Sequence, residues 1–166
     1  MAARGEFALL ASVRAAVSAL GHGRGVLTGI GDDCAVVEGP RAGSSFVLTT
    51  DTMMEGVHFR DSWLTARELG VRAFRAAVSD IAAMGARPRY VLLSLEIPGE
   101  AFGEAEALLL ARAVASEARR CGATLVGGNV SGGARTGVTV TIVGETCGRP
   151  LLRSAAKAGD LLFVTG

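Results

Sequence analysis

Apolar residues recur along this chain with two different periods, and the alternation of these periods predicts its elements. A spacing of about 3.6 residues predicts helices over residues 5–20, 65–84 and 101–120. Alternating or continuous apolar runs predict the strands. The strands are expected within 26–37, as a short pair around a turn, and at 44–53, 89–97, 123–126, 137–146 and 160–165. This order indicates an α/β (α+β) domain of two layers, with long helices covering one face of a mixed β-sheet.

Three local patterns make these expectations more specific. Thr65 followed by Glu68 matches a capping box, which fixes the start of the second helix. The run 89–97 is almost continuously apolar, and this predicts a strand that is buried on both faces. The first helix is expected to bury one apolar side, formed by Phe7, Leu10, Val13, Val17 and Leu20.

Composition narrows the class of protein. Hydrophobic residues make up 49% of the 166 residues and charged residues 20%, which is typical of a globular domain with a proper core. The formal net charge is +1 and there is no basic run, which argues against a nucleic-acid groove and against binding to acidic membranes by charge. The 23 glycines cluster at turns, which suggests backbone that passes close to a ligand.

Cysteine usage and hydropathy predict a cytoplasmic protein. Cys34, Cys121 and Cys147 are odd in number and far apart, which is typical of free thiols in a reducing compartment. No apolar stretch approaches the roughly 18 residues that a transmembrane helix needs. Glu6 and Arg14 interrupt the apolar start, so it reads as a helix rather than as a signal peptide.

Four acidic residues stand where an ordinary fold gains nothing from them. Asp32 and Asp33 follow a glycine in a tight turn. Asp51 ends the apolar run 46–50, and Asp80 lies among the alanines of the second helix. Carboxylates in weakly solvated places repel each other, and they take up protons or cations. Because Mg²⁺ prefers oxygen ligands and usually arrives with substrate phosphates, the pattern predicts a magnesium–nucleotide site.

Each acidic position also has a plain structural alternative. Glycine–aspartate pairs are ordinary turn chemistry, so the first pair could be a solvated turn. Asp51 could be a polar strand end that faces water. Asp80 could form an ion pair with Arg75 or Arg87, although its small apolar neighbours favour a metal role.

Three further features could contact a substrate. His58 could donate to a phosphate or hydroxyl, whereas a lone histidine is more often structural. The run 125–133 leads from a strand into paired glycines, which is typical either of a loop that presents N–H groups to a phosphate or of a flexible hairpin. Arg153 stands between apolar residues, and it either points inward at an anion or extends to the surface.

The order of these motifs is more specific than any one of them. The chain contains, in this order, Gly-Ile-Gly-Asp-Asp (29–33), Thr-Thr-Asp-Thr-Met-Met-Glu-Gly-Val-His-Phe (49–59), Ser-Asp-Ile-Ala-Ala-Met-Gly-Ala-Arg-Pro (79–88), Gly-Gly-Asn (127–129), Leu-Leu-Arg-Ser (151–154) and Gly-Asp-Leu-Leu-Phe-Val-Thr-Gly (159–166). In this arrangement the chain resembles the thiamine-monophosphate kinases, which belong to the superfamily of aminoimidazole-ribonucleotide synthetase. The resemblance runs from about Gly5 to Gly166.

The resemblance implies an activity and an architecture. It implies direct transfer of the γ-phosphoryl group of ATP to thiamine monophosphate, which gives thiamine diphosphate, with several Mg²⁺ ions. Residues 1–166 would be the N-terminal ATP- and Mg²⁺-binding domain of a two-domain kinase, whose C-terminal domain lies outside this chain. It further implies a homodimer in which two half-barrel sheets close into a barrel, and open sheet edges favour such pairing.

The resemblance also implies roles for individual residues. His58 would contact thiamine monophosphate, and Asp32 would support the metal site from the same turn as Asp33. Gly128, Asn129 and Arg153 would contact the nucleotide. The implied Mg²⁺ ligands are Asp33, Thr49, Thr50, Asp51, Asp80 and Asn129.

Two positions depart from the family pattern. Asn129 stands where the family has an aspartate, so the site keeps an oxygen ligand but loses one negative charge. The family's aromatic residue near the nucleotide has only Phe102 as a candidate counterpart.

Two other functions therefore stay open. Asn129 suggests a non-catalytic module for dimerisation and nucleotide binding. The superfamily also includes other ATP-dependent enzymes, which act on different substrates. None of the three readings calls for nucleic acid or a membrane as a partner.

Overall fold

The helices and most of the strands follow the predicted order, with shifted ends. The computed structural model describes residues 6–18, 24–99 and 102–163. Its helices are α1 (Glu6–Ser18), α2 (Ala66–Ala83) and α3 (Glu104–Arg120). Its strands are β1 (Val26–Thr28), β2 (Ala35–Glu38), β3 (Ser44–Met54), β4 (Arg87–Ile97), β5 (Thr124–Gly132) and β6 (Gly137–Cys147). A 3₁₀ turn covers Arg153–Ala155.

The six strands form one mixed sheet in the order β1-β2-β3-β6-β4-β5. Strands β4 and β5 run parallel, and every other neighbouring pair is antiparallel. Helix α3 connects β4 to β5, because two parallel neighbours need a long crossover between them. The prediction of a mixed sheet is confirmed.

The core lies between this sheet and helices α2 and α3. In β6, Val138, Val140 and Ile142 are fully buried, whereas Thr139 and Thr141 on the opposite face are half-buried. Residues of a strand alternate between the two faces of the sheet, so the helices cover one face. The prediction of long helices on one side of the sheet is confirmed.

The start of α2 follows the predicted capping box. The Thr65 hydroxyl oxygen accepts from the Glu68 backbone N–H at 3.2 Å. In return, the Thr65 backbone N–H donates to the Glu68 carboxylate at 2.9 Å. Across the described ranges, no helix combines the length and the apolarity that crossing a bilayer requires.

The prediction that β4 is buried on both faces is wrong. Val91, Leu93 and Leu95 point at the helices and are buried. Tyr90 and Leu92, on the other face, are 53% and 41% exposed. The helices cover a single face, so the continuous apolar run of β4 leaves a second apolar surface open.

The expected burial of the apolar side of α1 is also wrong where it can be described. Leu10, Val13 and Val17 are exposed, and none of them belongs to the core cluster. The side chain of Phe7 and all of Leu20 lie outside the described residues. Leu10, Ala11, Arg14 and Ala15 of α1 instead line a cavity together with the glycine–aspartate turn.

Two strand predictions are wrong, and in each case pairing with a neighbouring strand decides the outcome. Residues 160–163 pair with none of the described strands and form no strand, and 164–166 lie outside the described residues. Strand β5 continues beyond Val126 to Gly132, because its backbone pairs with β4 along this length. The expected glycine loop is therefore part of a strand.

Candidate functional site

A cavity of about 870 Å³ lies where α1, the glycine–aspartate turn, β3, α2 and the 3₁₀ turn meet. We call it the acid cavity. It is lined by six residues that the sequence singled out, namely Asp32, Asp33, Thr49, Thr50, Asp80 and Arg153. These residues come from four separate segments of the chain, and the fold brings them together.

The glycine–aspartate turn is compact and closely packed. Gly31 has a φ of +128°, which side-chain-bearing residues rarely adopt. A Cβ added there would lie 2.8 Å from a guanidinium nitrogen of Arg14 in α1. The Asp32 carboxylate accepts from the backbone N–H of Asp33 at 2.9 Å, which fixes the turn.

Asp80 is held by β3. The Thr49 hydroxyl donates to its carboxylate at 2.8 Å, and Thr49 itself is buried. The alternative ion pair between Asp80 and Arg75 does not form, since Arg75 pairs with Glu117. A half-buried carboxylate with a hydroxyl partner keeps oxygen lone pairs free to bind a cation.

Arg153 is directed at the acids. Its Nε donates to the Asp33 carboxylate at 2.9 Å, and an ion pair through Nη2 reinforces this contact. Its backbone N–H donates to Asp32 at 3.2 Å. In the described chain, Arg153 therefore points at the carboxylates of the glycine–aspartate turn.

The aspartates of the acid cavity act on a neighbouring buried thiol. Cys34 is buried beside the cavity, and burial raises the pKa of its thiol to about 12, with further contributions from the charges of Asp80, Asp33 and Asp32. Three carboxylates thus act on one buried sulfur. Arg153 and Arg14 are the cationic side chains that line the same cavity.

The two residues that follow Thr49 face opposite ways. Asp51 pairs with the buried Val140 of β6. It therefore lies on the helix-covered face of the sheet, as does Thr49 two residues earlier. It is half-buried and does not line the acid cavity. Thr50 lies on the open face, where its hydroxyl shares a 2.9 Å hydrogen bond with Thr141.

His58 lies outside the acid cavity, in an exposed turn after β3. Its Nδ1 accepts from the backbone N–H of Met54 at 3.0 Å. A neutral imidazole that accepts at Nδ1 carries its proton at Nε2. The ring is thus oriented by the backbone and keeps one donor free, and its predicted contact with a substrate stays a prediction.

Gly128 and Asn129 also lie outside the acid cavity, on β5. They line a separate groove of about 440 Å³ beside α3. Strands β6 and β4 stand between β5 and β3, which corresponds to a separation of about 14 Å at the usual strand spacing. Phe102, the candidate aromatic, is buried in the core and is not presented to a ligand. Their predicted ligand contacts stay predictions.

The donor chemistry of the acid cavity fits a hard divalent cation. Aspartate and threonine oxygens are the ligands that Mg²⁺ favours. Within the ranges the structure describes, no three His, Cys, Asp or Glu side chains converge on one point as a closed cage. Mg²⁺ is usually bound by one or two carboxylates together with waters and substrate phosphates, so an open arrangement is the type expected for a shared ion.

Sequence reasoning did not assign a site role to Arg14 or Cys34. Arg14 interrupts the apolar side of α1, and that interruption was the signal that could have placed it at the acid cavity. Cys34 directly follows the aspartate pair, but nothing local shows that its side chain turns inward.

Comparison with known protein families gives a match over most of the chain. The family described as "AIR synthase related protein, N-terminal domain" matches residues 31–148. These residues include Asp32 and Asp33, α2 and the whole sheet after β1.

Two curated relatives that match this chain have the same name. A thiamine-monophosphate kinase of Bacillus subtilis is 37% identical over 147 residues, which is 87% of this chain and 45% of the relative. The thiamine-monophosphate kinase of Mycobacterium tuberculosis (strain H37Rv) is 40% identical over 143 residues, which is 85% of this chain and 42% of the relative. The chain therefore spans less than half the length of these relatives.

A solved structure has the same fold. The structure described as AaThiL complexed with AMPPCP and TMP matches with a TM-score of 0.80 and 32% sequence identity. The match covers 94% of this chain and 46% of the solved one.

Proposed function

This chain belongs to the AIR synthase related proteins, of which it carries the N-terminal domain, and on that premise we propose that the whole protein phosphorylates thiamine monophosphate with ATP and Mg²⁺. The product is thiamine diphosphate, formed by direct transfer of the γ-phosphoryl group. The chain is, in this proposal, the ATP- and Mg²⁺-binding domain of a two-domain kinase. Relatives named thiamine-monophosphate kinase and a fold match bound to an ATP analogue support it.

One observation carries the proposal. Asp32 and Asp33 of the glycine–aspartate turn and Asp80 of α2 line one cavity together with Thr49 and Thr50 of β3. Phosphoryl transfer needs little covalent help, because positioning and neutralisation of phosphate charge supply most of the catalysis. The acid cavity offers oxygen ligands for Mg²⁺ and an arginine for phosphate oxygens, so it could both position the phosphates and neutralise their charge.

The proposed metal ligands in the acid cavity are Asp33, Asp80 and Thr49. Asp51, two residues further along the same face of β3, is a fourth proposed ligand. Mg²⁺ held there would neutralise the phosphate oxygens during transfer. Thr49 keeps the Asp80 carboxylate oriented, and Asp32 keeps the turn closed.

Arg153 is proposed to bind a phosphate of the nucleotide. When a phosphate enters, its guanidinium exchanges the Asp33 carboxylate for phosphate oxygens, and Asp33 becomes free for the cation. His58 would donate from Nε2 to thiamine monophosphate, while Gly128 and Asn129 would contact the nucleotide from β5.

We also propose a homodimer formed through the open face of the sheet. Tyr90 and Leu92 are exposed there. An uncovered apolar sheet face is an expected contact surface, and two such half-barrel faces can close on each other.

The test is a kinase assay on the full-length protein. Asp80→Asn keeps the shape of the side chain and an acceptor for Thr49 but removes one charge, so thiamine diphosphate formation should fall by about a hundredfold or more. Glu104→Gln removes one charge at an exposed position of α3 and should leave the rate unchanged. An Asp80→Asn rate equal to wild type contradicts the proposed site.

A non-catalytic nucleotide-binding module is the second candidate, favoured by Asn129. In that case the full-length protein binds ATP and yields no thiamine diphosphate. Asn129→Asp then separates the two candidates: a large gain in rate means that the natural residue impairs the site, whereas an active wild type with little gain supports the kinase.

A further inference from the structure

A second concave surface lies on the solvent side of α2 and α3, away from the acid cavity. Two cavities, of about 790 and 290 Å³, have Arg67, Val71, Glu117 and Arg120 in common. They therefore form one continuous groove, which we call the arginine groove. None of its lining residues lines the acid cavity.

The groove is strongly basic. Five arginines line it and two glutamates oppose them, although the whole chain has a net charge of only +1. One of the glutamates, Glu68, is engaged by Thr65 in the capping box. The arginines are Arg67, Arg72, Arg75, Arg112 and Arg120.

The other glutamate organises two of these arginines. Glu117 is 9% exposed, and its two carboxylate oxygens accept from Arg75 Nε at 2.9 Å and from Arg120 Nη1 at 3.0 Å. Arg75 comes from α2 and Arg120 from α3, so one buried carboxylate ties a guanidinium of each helix to the groove. Each guanidinium has five N–H donors, and most of them stay free to face solvent.

The remaining three arginines have no such partner. Among the described residues, no carboxylate lies within ion-pair distance of Arg67, Arg72 or Arg112. Val71 and Met53 add apolar surface to the lining of the groove. Guanidinium groups without an ion-pair partner beside apolar surface favour an anionic ligand with some apolar surface.

We propose that the arginine groove binds a small phosphate-bearing molecule. Guanidinium groups match phosphate oxygens in pairs, and arginine is preferred where planar, two-point recognition of phosphate is needed. The larger of the two cavities, of about 790 Å³, lies within the range of small-molecule sites. This site goes beyond the proposed kinase reaction, since it needs none of the residues of the acid cavity.

The experiment is calorimetric titration of the protein with inorganic pyrophosphate at low salt and with a chelator present, so that no divalent ion recruits the probe to the acid cavity. Wild-type protein should bind, and binding should weaken as ionic strength rises. The variant Arg67→Gln/Arg112→Gln should bind at least about tenfold more weakly. The variant Arg41→Gln/Arg149→Gln, which loses two exposed arginines elsewhere, should bind as wild type does.

Three results would overturn the proposal. They are no binding by the wild type, equal weakening in both double variants, and binding of an acidic peptide in place of pyrophosphate. Thermal melting of both variants checks that the fold is intact, and the kinase assay runs separately. Loss of pyrophosphate binding with unchanged kinase activity therefore supports the groove whether or not the proposed reaction is correct.

Discussion

At Gly128 the backbones of β5 and β4 approach more closely than any side chain allows. Its φ is +153°, and an added Cβ would lie 1.7 Å from the carbonyl oxygen of Leu93. The register of the two strands shifts between Val91 and Leu92, next to this contact. Backbone packing thus requires a glycine here, independently of any contact with a nucleotide.

Gly128→Ala should lower the free energy of unfolding by about 3 kcal/mol, because a backbone oxygen cannot move aside as a flexible side chain would. Gly132→Ala, at the C-terminal end of β5, meets nothing within 4 Å and should change stability by less than about 0.5 kcal/mol. Urea unfolding of both variants gives the comparison. Equal stabilities of the two variants would mean that the backbones of β4 and β5 can move apart to accept a methyl group at position 128.

Glu117 makes stability depend on pH. Hydrogen bonds from Arg75, ahead of those from Arg120, lower the pKa of this carboxyl below its usual value. A lowered folded-state pKa contributes stability above the unfolded-state value of about 4.3, and the contribution disappears as pH falls through the folded-state pKa.

The free energy of unfolding of wild type should therefore exceed that of Glu117→Gln at pH 7, and the difference should shrink below pH of about 4.3. Thermal or urea unfolding across this range measures it. The exposed Glu104→Gln is the matched control. A wild-type advantage that stays constant down to acid pH would mean that the two arginines do not stabilise the ionised carboxylate.

At the scale of elements, α2 and α3 touch at a glycine. A Cβ at Gly70 would lie 2.6 Å from the carbonyl oxygen of Leu110 and 3.0 Å from the Cβ of Ala113. The close approach lets the two helices share one layer over the sheet. It also sets the spacing of the arginine groove, whose arginines come from both helices.

Gly70→Ala sets two effects of opposite sign against each other. Helix propensity alone would stabilise α2 by up to about 1 kcal/mol. The contact with a backbone oxygen should outweigh this gain, so we expect a net loss of about 2 kcal/mol in the free energy of unfolding. Ser79→Ala, at an exposed position of α2, should stay within about 0.5 kcal/mol. A more stable Gly70→Ala variant would contradict the close packing.

At the scale of the whole molecule, the described residues cover one face of the sheet and leave the other open. The open face combines exposed apolar residues of β4 with a row of threonines, in which Thr52 pairs with Thr139 at 2.9 Å. Such a surface fits the proposed association of two copies better than it fits contact with water.

The full-length protein should sediment as a dimer, and Leu92→Lys should shift it towards the monomer by placing a charge within the interface. Leu108→Lys is the control, since Leu108 is similarly exposed but lies on α3. Analytical ultracentrifugation at several concentrations measures the change. A monomeric wild type, or equal dissociation of both variants, would exclude the open face as the interface.

The sequence by itself determined the features that depend on residues close together in the chain. Helical spacing and the capping box placed α2, and strict alternation placed the buried side of β6. The positions of Asp32, Asp33 and Asp80 in the chain predicted a site of acidic residues. These features depend on backbone sterics and on contacts within a few residues, so a local pattern records them.

Only the tertiary structure decided which distant groups meet. Thr49 bonds Asp80 across 31 residues, and Arg153 reaches Asp33 across 120. It also decided that β5 extends through its glycines and that β4 keeps one face open. Each of these outcomes depends on which segment lies alongside another, and a periodic pattern in one segment carries no record of its neighbour.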